Sequence, residues 1–284
     1  MLVSIIIVNY NTKALLKQCL ESVIEKTQDI EYEIIVVDNA SSDGSQSMVN
    51  AEFSQVKLIG SPENLGFGGA NNLGATIAQG KYLFFLNSDT ILINNAVKIL
   101  ADFMEQTPKC GICGGNLFDE NLMPVHSFLD IDTLLMEIKD FLHIGIKKFN
   151  ITTKPIKVGR ITGADLMIKT EFFNKLKGFD PIFFMYSEDA DLNYRARKNN
   201  YQIYNVPQSN IIHLENKSSN NENLRTQRLL DGKRKYYAKH YGKLYKNIAL
   251  TIILTTAISR MLLLKNTDIR KEHWKFIARN IFRK

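Results

Sequence analysis

Apolar positions in the first part of the chain fall in short runs separated by stretches of helical spacing. Val3-Ser-Ile-Ile-Ile-Val8 is rich in β-branched residues and predicts a strand buried on both faces. Thr12 then opens a segment in which Leu15, Leu16, Cys19, Leu20, Val23 and Ile24 recur at helical spacing, with Thr12 placed to cap it. Glu33-Ile-Ile-Val-Val37 predicts a second strand ending at Asp38, Val56–Ile59 a third, and Tyr82-Leu-Phe-Phe-Leu86 a fourth. Helical patterns lie between them. This alternation implies βαβ units and a mostly parallel sheet with helices on both faces. Ligands of such sheets bind beyond the carboxyl ends of the strands. Polar clusters stand at those ends: Asn9-Tyr10-Asn11, the Asp38–Asp43 segment and Asn87-Ser88-Asp89.

Farther on the pattern loosens. Residues 118–157 read as an insertion over one face of the sheet, and 216–224 as an Asn/Ser-rich loop or lid. The chain has 284 residues, 45% of them hydrophobic and 23% charged, which argues for a folded domain and against wholesale disorder. Leu2–Val8 gives way at once to Asn9, so it reads as a strand and not as a secretory signal. Three cysteines exclude a disulfide scaffold. Cys110 and Cys113 have CxxC spacing, but no second pair accompanies them and the residues around them read as a strand.

Charge changes the picture most. Residues 225–284 hold 16 Lys+Arg against 3 Asp+Glu, a net of +13, while residues 1–224 hold 20 against 26, a net of −6. The tail carries tyrosines 236, 237 and 241 among its cations. An apolar run from Asn247 to Leu264 follows, borderline in length for a membrane span. Beyond it, Trp274, Ile277, Ala278 and Ile281 share a helical face, with Lys275, Arg279 and Arg283 alongside. Such a stretch suits an interfacial helix on an anionic membrane, or a helix packed on the body with a solvated charged face. No nucleic-acid recognition motif accompanies the charge.

Several segments are candidates for chemistry. Asp38–Ser45 (DNASSDGS) offers carboxylates to a nucleobase imide or a ribose, the ordinary alternative being a capping turn. Asn64–Gly74 is a glycine-rich helix entry whose amides suit phosphate oxygens, without the spacing of a dinucleotide or P-loop motif. Asp89, just past an apolar strand, can bind a hard divalent ion or cap the next helix. Glu188, Asp189 and Asp191 place three carboxylates at one helix start after the aromatic stretch Phe183-Phe184-Met185-Tyr186, as a walled pocket with a general base would. Asp191 can instead orient that helix through an ion pair with Arg195. His213, after Ile211-Ile212, reads by itself as a structural group.

In their order, VSIIIVNYN (3–11), VVDNASSDGS (36–45), NLGFGGANNLG (64–74), LFFLNSDT (83–90), ITGADLMIKTEFF (161–173), GFDPIFFMYSEDADLNYR (178–195) and His213 resemble the family 2 glycosyltransferases of GT-A fold, in particular their bacterial rhamnosyltransferase-like branch. The resemblance implies a catalytic domain over 1–224, with a donor-binding half at about 1–117 and an acceptor-side half at about 118–224. Residues 225–284 would form a helical basic extension. It implies an inverting, metal-dependent transfer of a sugar from a nucleotide-sugar to a glycan. It places Val8, Tyr10, Asn11, Asp38, Asn39, Asp43, Asn64, Gly68 and Asn72 around the nucleotide. Asn87 and Ser88 would lie at the diphosphate, and Gly163, Ala164 and Asp165 at the donor sugar. Asp89, with His213 as second ligand, would hold Mg2+ or Mn2+, although Asn87 stands where the family has its first Asp. Asp189 is the expected base and Glu188 the competing assignment. The donor implied is dTDP-rhamnose, with a UDP-hexose or UDP-N-acetylhexosamine as rival, and a catalytically silent nucleotide-sugar-binding scaffold as the rival of another class. The acceptor implied is a polyprenyl-diphosphate-linked glycan in cell-surface polysaccharide or O-antigen assembly. The enzyme would then be cytoplasmic and peripheral at the inner face of a bacterial cell membrane, with a homodimer left open.

Overall fold

The β-branched runs become strands because each can bury both of its faces, and the helical segments supply the cover. A computed structural model of the chain describes residues 2–142, 144, 152–214, 222–263, 275, 277 and 278. In chain order, β1 (Leu2–Asn9), α1 (Lys13–Lys26), β2 (Glu31–Asp38), α2 (Ser45–Glu52), β3 (Val56–Gly60), α3 (Gly66–Ala75) and β4 (Tyr82–Asn87) alternate as the pattern predicts. There follow β5 (Thr90–Leu92), α4 (Ala96–Gln106), β6 (Cys110–Phe118), β7 (Phe128–Leu129), α5 (Leu134–Phe141), β8 (Ile156–Lys157) and β9 (Arg160–Ile161). Then come β10 (Asp165–Lys169), α6 (Thr170–Lys175), α7 (Glu188–Lys198), β11 (Gln202–His213) and α8 (Glu222–Leu263).

The main sheet has the order β3-β2-β1-β4-β10-β6-β11-β5, with β8 on β11. The first four strands run parallel, β10 lies antiparallel between β4 and β6, and β6 and β11 are again parallel. Ile5 and Ile7 face one core with Leu16 and Leu20 of α1 and Val97, Leu100 and Met104 of α4. Ile6, Ile35 and Phe85 face the other core with Ala70 of α3, Phe172 and Phe173 of α6, and Leu192 and Ala196 of α7. Burial on both faces is why these strands read as continuous apolar runs. Their carboxyl ends lie together: Asn9 is in register with Asp38, Val8 with Asn87, and Leu86 with Asp165.

The basic tail packs on the body, one of the two alternatives its sequence leaves open. Glu222–Leu224 are already helical and not part of a loop, while 216–221 lie outside the described residues. α8 is two helices joined at Gly242, whose backbone (φ 86°, ψ 175°) breaks the helical path. The first part packs on the body. Lys239 pairs with Asp180 at 2.6 Å and also with buried Asp191, which in turn meets His240 Nε2 at 2.8 Å and accepts from Arg195 Nε at 2.7 Å. The Asp191–Arg195 pair expected from spacing therefore forms. Burial works against the charge of Asp191, but His240, Arg195 and Lys239 outweigh it and hold its carboxyl below the usual range. Buried Glu137 of α5 accepts from Lys233 Nζ and Tyr237 Oη, each at 2.6 Å.

The second part of α8 lies beside α5, where Leu134 N donates to Tyr245 Oη at 2.7 Å and Arg260 pairs with Asp140 at 2.8 Å. Among the described residues no helix is long and apolar enough to cross a membrane, so the run from Asn247 is not a span over the residues described. Ile277 is buried with Leu230, Leu250 and Ala257, as a packed helix would have it; Trp274, Arg279, Ile281 and Arg283 lie outside the described residues. Cys110 and Cys113 are buried free thiols on β6, and among the described residues no three His, Cys, Asp or Glu side chains converge on one point.

Candidate active site

Two loops and one turn meet over the carboxyl ends of β1, β2 and β4. The first loop is tied down by its own polar side chains. Asp38 is buried at the end of β2, where its carboxylate accepts from Asn9 Nδ2 at 2.9 Å, Ser41 N at 3.0 Å and Gln46 Nε2 at 2.8 Å. Asn39, also buried, donates to Asn64 Oδ1 at 3.0 Å and accepts from Leu65 N at 2.8 Å, joining this loop to the glycine-rich one. Asp43 is exposed and accepts from Lys13 N at 2.8 Å and Ser45 N at 3.0 Å, so it caps α1 and α2 together. Burial raises its pKa, but the Ser45 hydroxyl and the two amides prevail and hold it below the usual range. Thr12 does not cap α1 with its side chain; its hydroxyl donates to Asn9 Oδ1 at 2.7 Å and lies 3.0 Å from Ser88 Oγ. Asn11, at φ 54°, accepts from Ser42 N at 2.7 Å, and Tyr10 stands exposed beside it. Val8 is half-buried at the floor. Asp38 and Asn39 thus shape the loop, while Tyr10, Asn11, Ser42 and Asp43 face outward from it.

The glycine-rich entry to α3 grips the turn that carries the carboxylates. Asn72 Nδ2 donates to Phe179 O at 2.8 Å and its Oδ1 accepts from Phe179 N at 2.9 Å. Gly68 is buried against Phe179 and Glu188. Gly66 sits at φ 72°, and a Cβ there would fall 1.9 Å from Phe184 O, so no side chain fits. The structure therefore gives Gly68 and Asn72 a supporting place behind the turn. Asn64 and Asn72 are both half-buried, and Asn64 is tied to the Asp38–Asp43 loop through Asn39.

Across the site, Asn87, Asp89 and His213 converge. His213 Nε2 lies 3.4 Å from Asp89 Oδ1 and 3.4 Å from Asn87 Nδ2. β5 and β11 bring them together by pairing Thr90 with His213, and Leu214 N donates to Asp89 O at 2.9 Å. Asn87 N in turn donates to Ala164 O at 3.0 Å, fixing the Gly163–Asp165 strand against the same end. Asp165 itself is wholly closed to solvent: its Oδ2 accepts from Gly115 N and its Oδ1 has no hydrogen-bond partner. Burial drives its pKa well above the carboxylate range, and the Gly115 amide offsets only part of that rise.

Glu188 and Asp189 open α7 but differ in setting. Tyr186 and Ser187 before them both adopt positive φ, 68° and 70°, a conformation costly for residues with side chains. Glu188 is buried beside Gly68 with Oε2 unpartnered, and burial, reinforced by the Asp189 charge, pushes its pKa up to about 8. Asp189 is partly open, lies beside Gly163, accepts from Ala190 N at 2.7 Å and sits 3.4 Å from Arg160 Nη1. Arg160 also reaches Asp132 at 3.4 Å; burial works against its charge, but the two carboxylates outweigh it. Sequence reasoning missed Arg160, because its two partners come from elements far apart in the chain. It also missed Gly232 of α8, which lies so close to the turn that a Cβ would fall 2.5 Å from Tyr186 O.

One carboxylate and one imidazole 3.4 Å apart offer two ligands of the kinds a divalent ion takes, the rest coming from a bound anion. Comparison with known proteins agrees with the architecture. The family described as Glycosyl transferase family 2 matches residues 4–176. The chain is 24% identical over 206 residues to an N-acetylglucosaminyl-diphospho-decaprenol L-rhamnosyltransferase of Mycobacterium tuberculosis, a match covering 63% of this chain and 66%, just under two thirds, of that protein. It is 26% identical over 225 residues to Rhamnosyltransferase WbbL of Escherichia coli K12, covering 75% of this chain and 83% of that one. Among solved structures, GalNAc-T7 with UDP, GalNAc and Mn2+ superposes with a TM-score of 0.61 at 18% identity, covering 98% of this chain and 56% of that one. Mannosyltransferase PcManGT of Pyrobaculum calidifontis, in complex with GDP-Man and Mn2+, gives 0.60 at 16% identity, covering 98% and 86%. At these identities the structural likeness shows a shared fold, the GT-A fold.

Proposed function

The chain belongs to glycosyl transferase family 2, and from that membership we propose that it transfers a sugar with inversion from a nucleotide-sugar to a lipid-linked glycan, rhamnose from dTDP-rhamnose being the leading donor. The observation that carries this reading is the approach of Asp89 to His213 past the end of β4, with Asp189 beside Gly163 on the segment that Asn87 N holds against the same strand end. The names of the mycobacterial and E. coli relatives support rhamnose as the sugar, and the first of them supports an acceptor built on a polyprenyl diphosphate. Tyr10, Asn11, Ser42, Asp43 and Asn64 would receive the nucleoside, with Asp38 and Asn39 holding their loop.

Asp189 is our choice for the base. An acceptor hydroxyl is a poor nucleophile at neutral pH and must lose its proton as its oxygen bonds to the anomeric carbon. Asp189, partly open and paired with Arg160, is set to take that proton. Glu188, closed off and held protonated at neutral pH, is not. The bond from the anomeric carbon to the diphosphate oxygen breaks as the new one forms, and the electron pair leaves with the nucleoside diphosphate. Asp89 and His213 would hold Mg2+ or Mn2+, which when bound supplies positive charge to that leaving group. Asn87, whose Nδ2 faces His213, brings no charge to the same place. The work would be done at the cytoplasmic face of a bacterial cell membrane, where the tail's net positive charge meets anionic lipid.

Asp189→Asn is expected to keep the thermal shift that donor and Mn2+ induce while losing transfer by about 10²-fold or more. Near-normal turnover would remove Asp189 from its role. Run with dTDP-, UDP- and GDP-sugars, the same thermal-shift measurement ranks the donors, and silence with all of them would overturn the reading.

A further inference from the structure

The second part of α8 exposes a face that the active site does not use. Leu244, Ile248, Thr251, Thr255, Ile258 and Leu262 follow one another at intervals of four, three, four, three and four, a single stripe along the helix, and all are exposed. Leu244 and Leu262, at its two ends, are each 75% exposed. The opposite face is already committed to the protein through Ala249, Leu250, Thr256 and Ala257. From Asn247 to Ser259 there is no charged residue, whereas Lys243 and Lys246 precede the stretch and Arg260 follows it.

The hydroxyls on this helix are satisfied without solvent. Thr251 Oγ1 donates to Asn247 O, Thr255 and Thr256 Oγ1 donate to Ile252 O, and Ser259 Oγ donates to Thr256 O, at 2.8–2.9 Å. A threonine bonded in this way to its own helix presents its methyl group and leaves no polar demand on the medium. α5, which Tyr245 and Arg260 fasten to α8, adds a second stripe of exposed Leu135, Ile138 and Leu142, with exposed Lys139 beside it.

We infer that the outer faces of α5 and the second part of α8 form a docking surface for an anionic lipid bilayer, with both helices lying in the interface. An apolar stripe with flanking cations matches the boundary between acyl chains and anionic headgroups. Over the described residues the run is not long and apolar enough to cross, so we place it in the interface. A second copy of the chain is a poorer occupant, since it would set Lys139 of α5, and Lys243 and Lys246 of the net +13 tail, against their own likes. The inference deepens the reading of a lipid-linked acceptor and rests on it for its purpose. Vesicle binding requires neither donor nor acceptor, so the two fail separately.

The test is flotation of the full chain with phosphatidylcholine vesicles, with and without phosphatidylglycerol. Binding is expected only, or about tenfold more strongly, when phosphatidylglycerol is present. The double variant Ile248→Glu, Ile258→Glu should lose about tenfold or more of that binding, the effect of withdrawing two apolar side chains from lipid. Because both positions are exposed, its melting temperature and donor-induced thermal shift should match those of the unaltered chain, which excludes misfolding as the cause. Vesicle binding unchanged in the double variant would overturn the assignment. So would an unaltered chain that ignores phosphatidylglycerol, or a dimer in light scattering that the double variant splits.

Discussion

Adjacent carboxylates at the head of α7 have opposite fates because one side chain turns inward and the other outward. Glu188 lies against Gly68 in a pocket that gives its Oε2 no donor, so the charged form loses solvation and gains nothing in return. Asp189 keeps a guanidinium and an edge of solvent. The consequence for stability has a definite sign. With a folded pKa of about 8 against an ordinary glutamate value of 4.5, the native chain holds a proton at Glu188 that the unfolded chain releases. The contribution of this group is full below the unfolded value and is lost as pH rises through the folded one. Glu188→Gln, neutral at every pH, should therefore melt near the unaltered chain at about pH 5 and higher by at least about 3 °C at about pH 8.5. A melting-temperature difference that is flat with pH would show that Glu188 ionises in the fold. The sequence presents Glu188 and Asp189 as equals, since nothing in the spacing says which of two neighbours at a helix start is buried. Asp165 is a similar case: its place beside Gly163 and Ala164 is legible, but its closure behind Gly115 depends on β6, which lies about fifty residues away in the chain.

The turn from Asp180 to Ser187 is held on two sides by elements from opposite ends of the chain. α3 brings Gly66 up to Phe184 O, and α8 brings Gly232 up to Tyr186 O. Arg228 of α8 lies 5.1 Å from the centre of the Phe184 ring, and Lys239 ties down Asp180. Two successive residues at positive φ persist only where the surroundings over-determine them, and here both walls do so. Gly232→Ala would press a methyl group into Tyr186 O, at a cost of about 1–3 kcal/mol. The expected result is a lower melting temperature together with a kcat that falls several-fold more than donor affinity does, since Asp189 moves while the nucleotide loop is untouched. A parallel loss of both, or of neither, would deny α8 a part in aligning the turn. Strands β1 to β4 and the helices between them were legible because each alternation is local and amphipathic. The role of α8 was not, since a basic helix packed on the Asp180–Ser187 turn and a basic helix free in solvent carry the same residue types. Gly232 carries no sequence signal of its own: a helical glycine looks like a propensity fault until the carbonyl it accommodates is in view.

On the scale of the whole molecule, the formal charge of +7 divides between a body of −6 and a tail of +13, and α8 spans the two roles. Its first part closes on the acidic body through Asp180, Asp191 and Glu137, where carboxylates bury against Lys239, His240 and Lys233. Its second part turns an uncharged stripe outward beside α5. Gly242 lies between them, at a backbone conformation open essentially to glycine alone, with nothing within 4 Å of where its side chain would be. No close packing demands a glycine there, so the demand is conformational: the residue sets the angle between the proposed lipid-facing stripe and the helix that holds the Asp180–Ser187 turn. Gly242→Ala would add strain of about 1–3 kcal/mol at that joint and shift the angle toward a continuous helix. Donor binding and slow hydrolysis of donor by water depend only on the body and should be unchanged. Vesicle binding depends on the exposed faces of α5 and the second part of α8, neither of which the substitution touches, and should persist. Transfer to a lipid-linked acceptor embedded in vesicles needs both in register and should fall several-fold, while transfer to the same acceptor dispersed in detergent should fall much less. Equal losses in vesicles and detergent would mean that Gly242 serves the fold of α8 alone and that the angle carries no function.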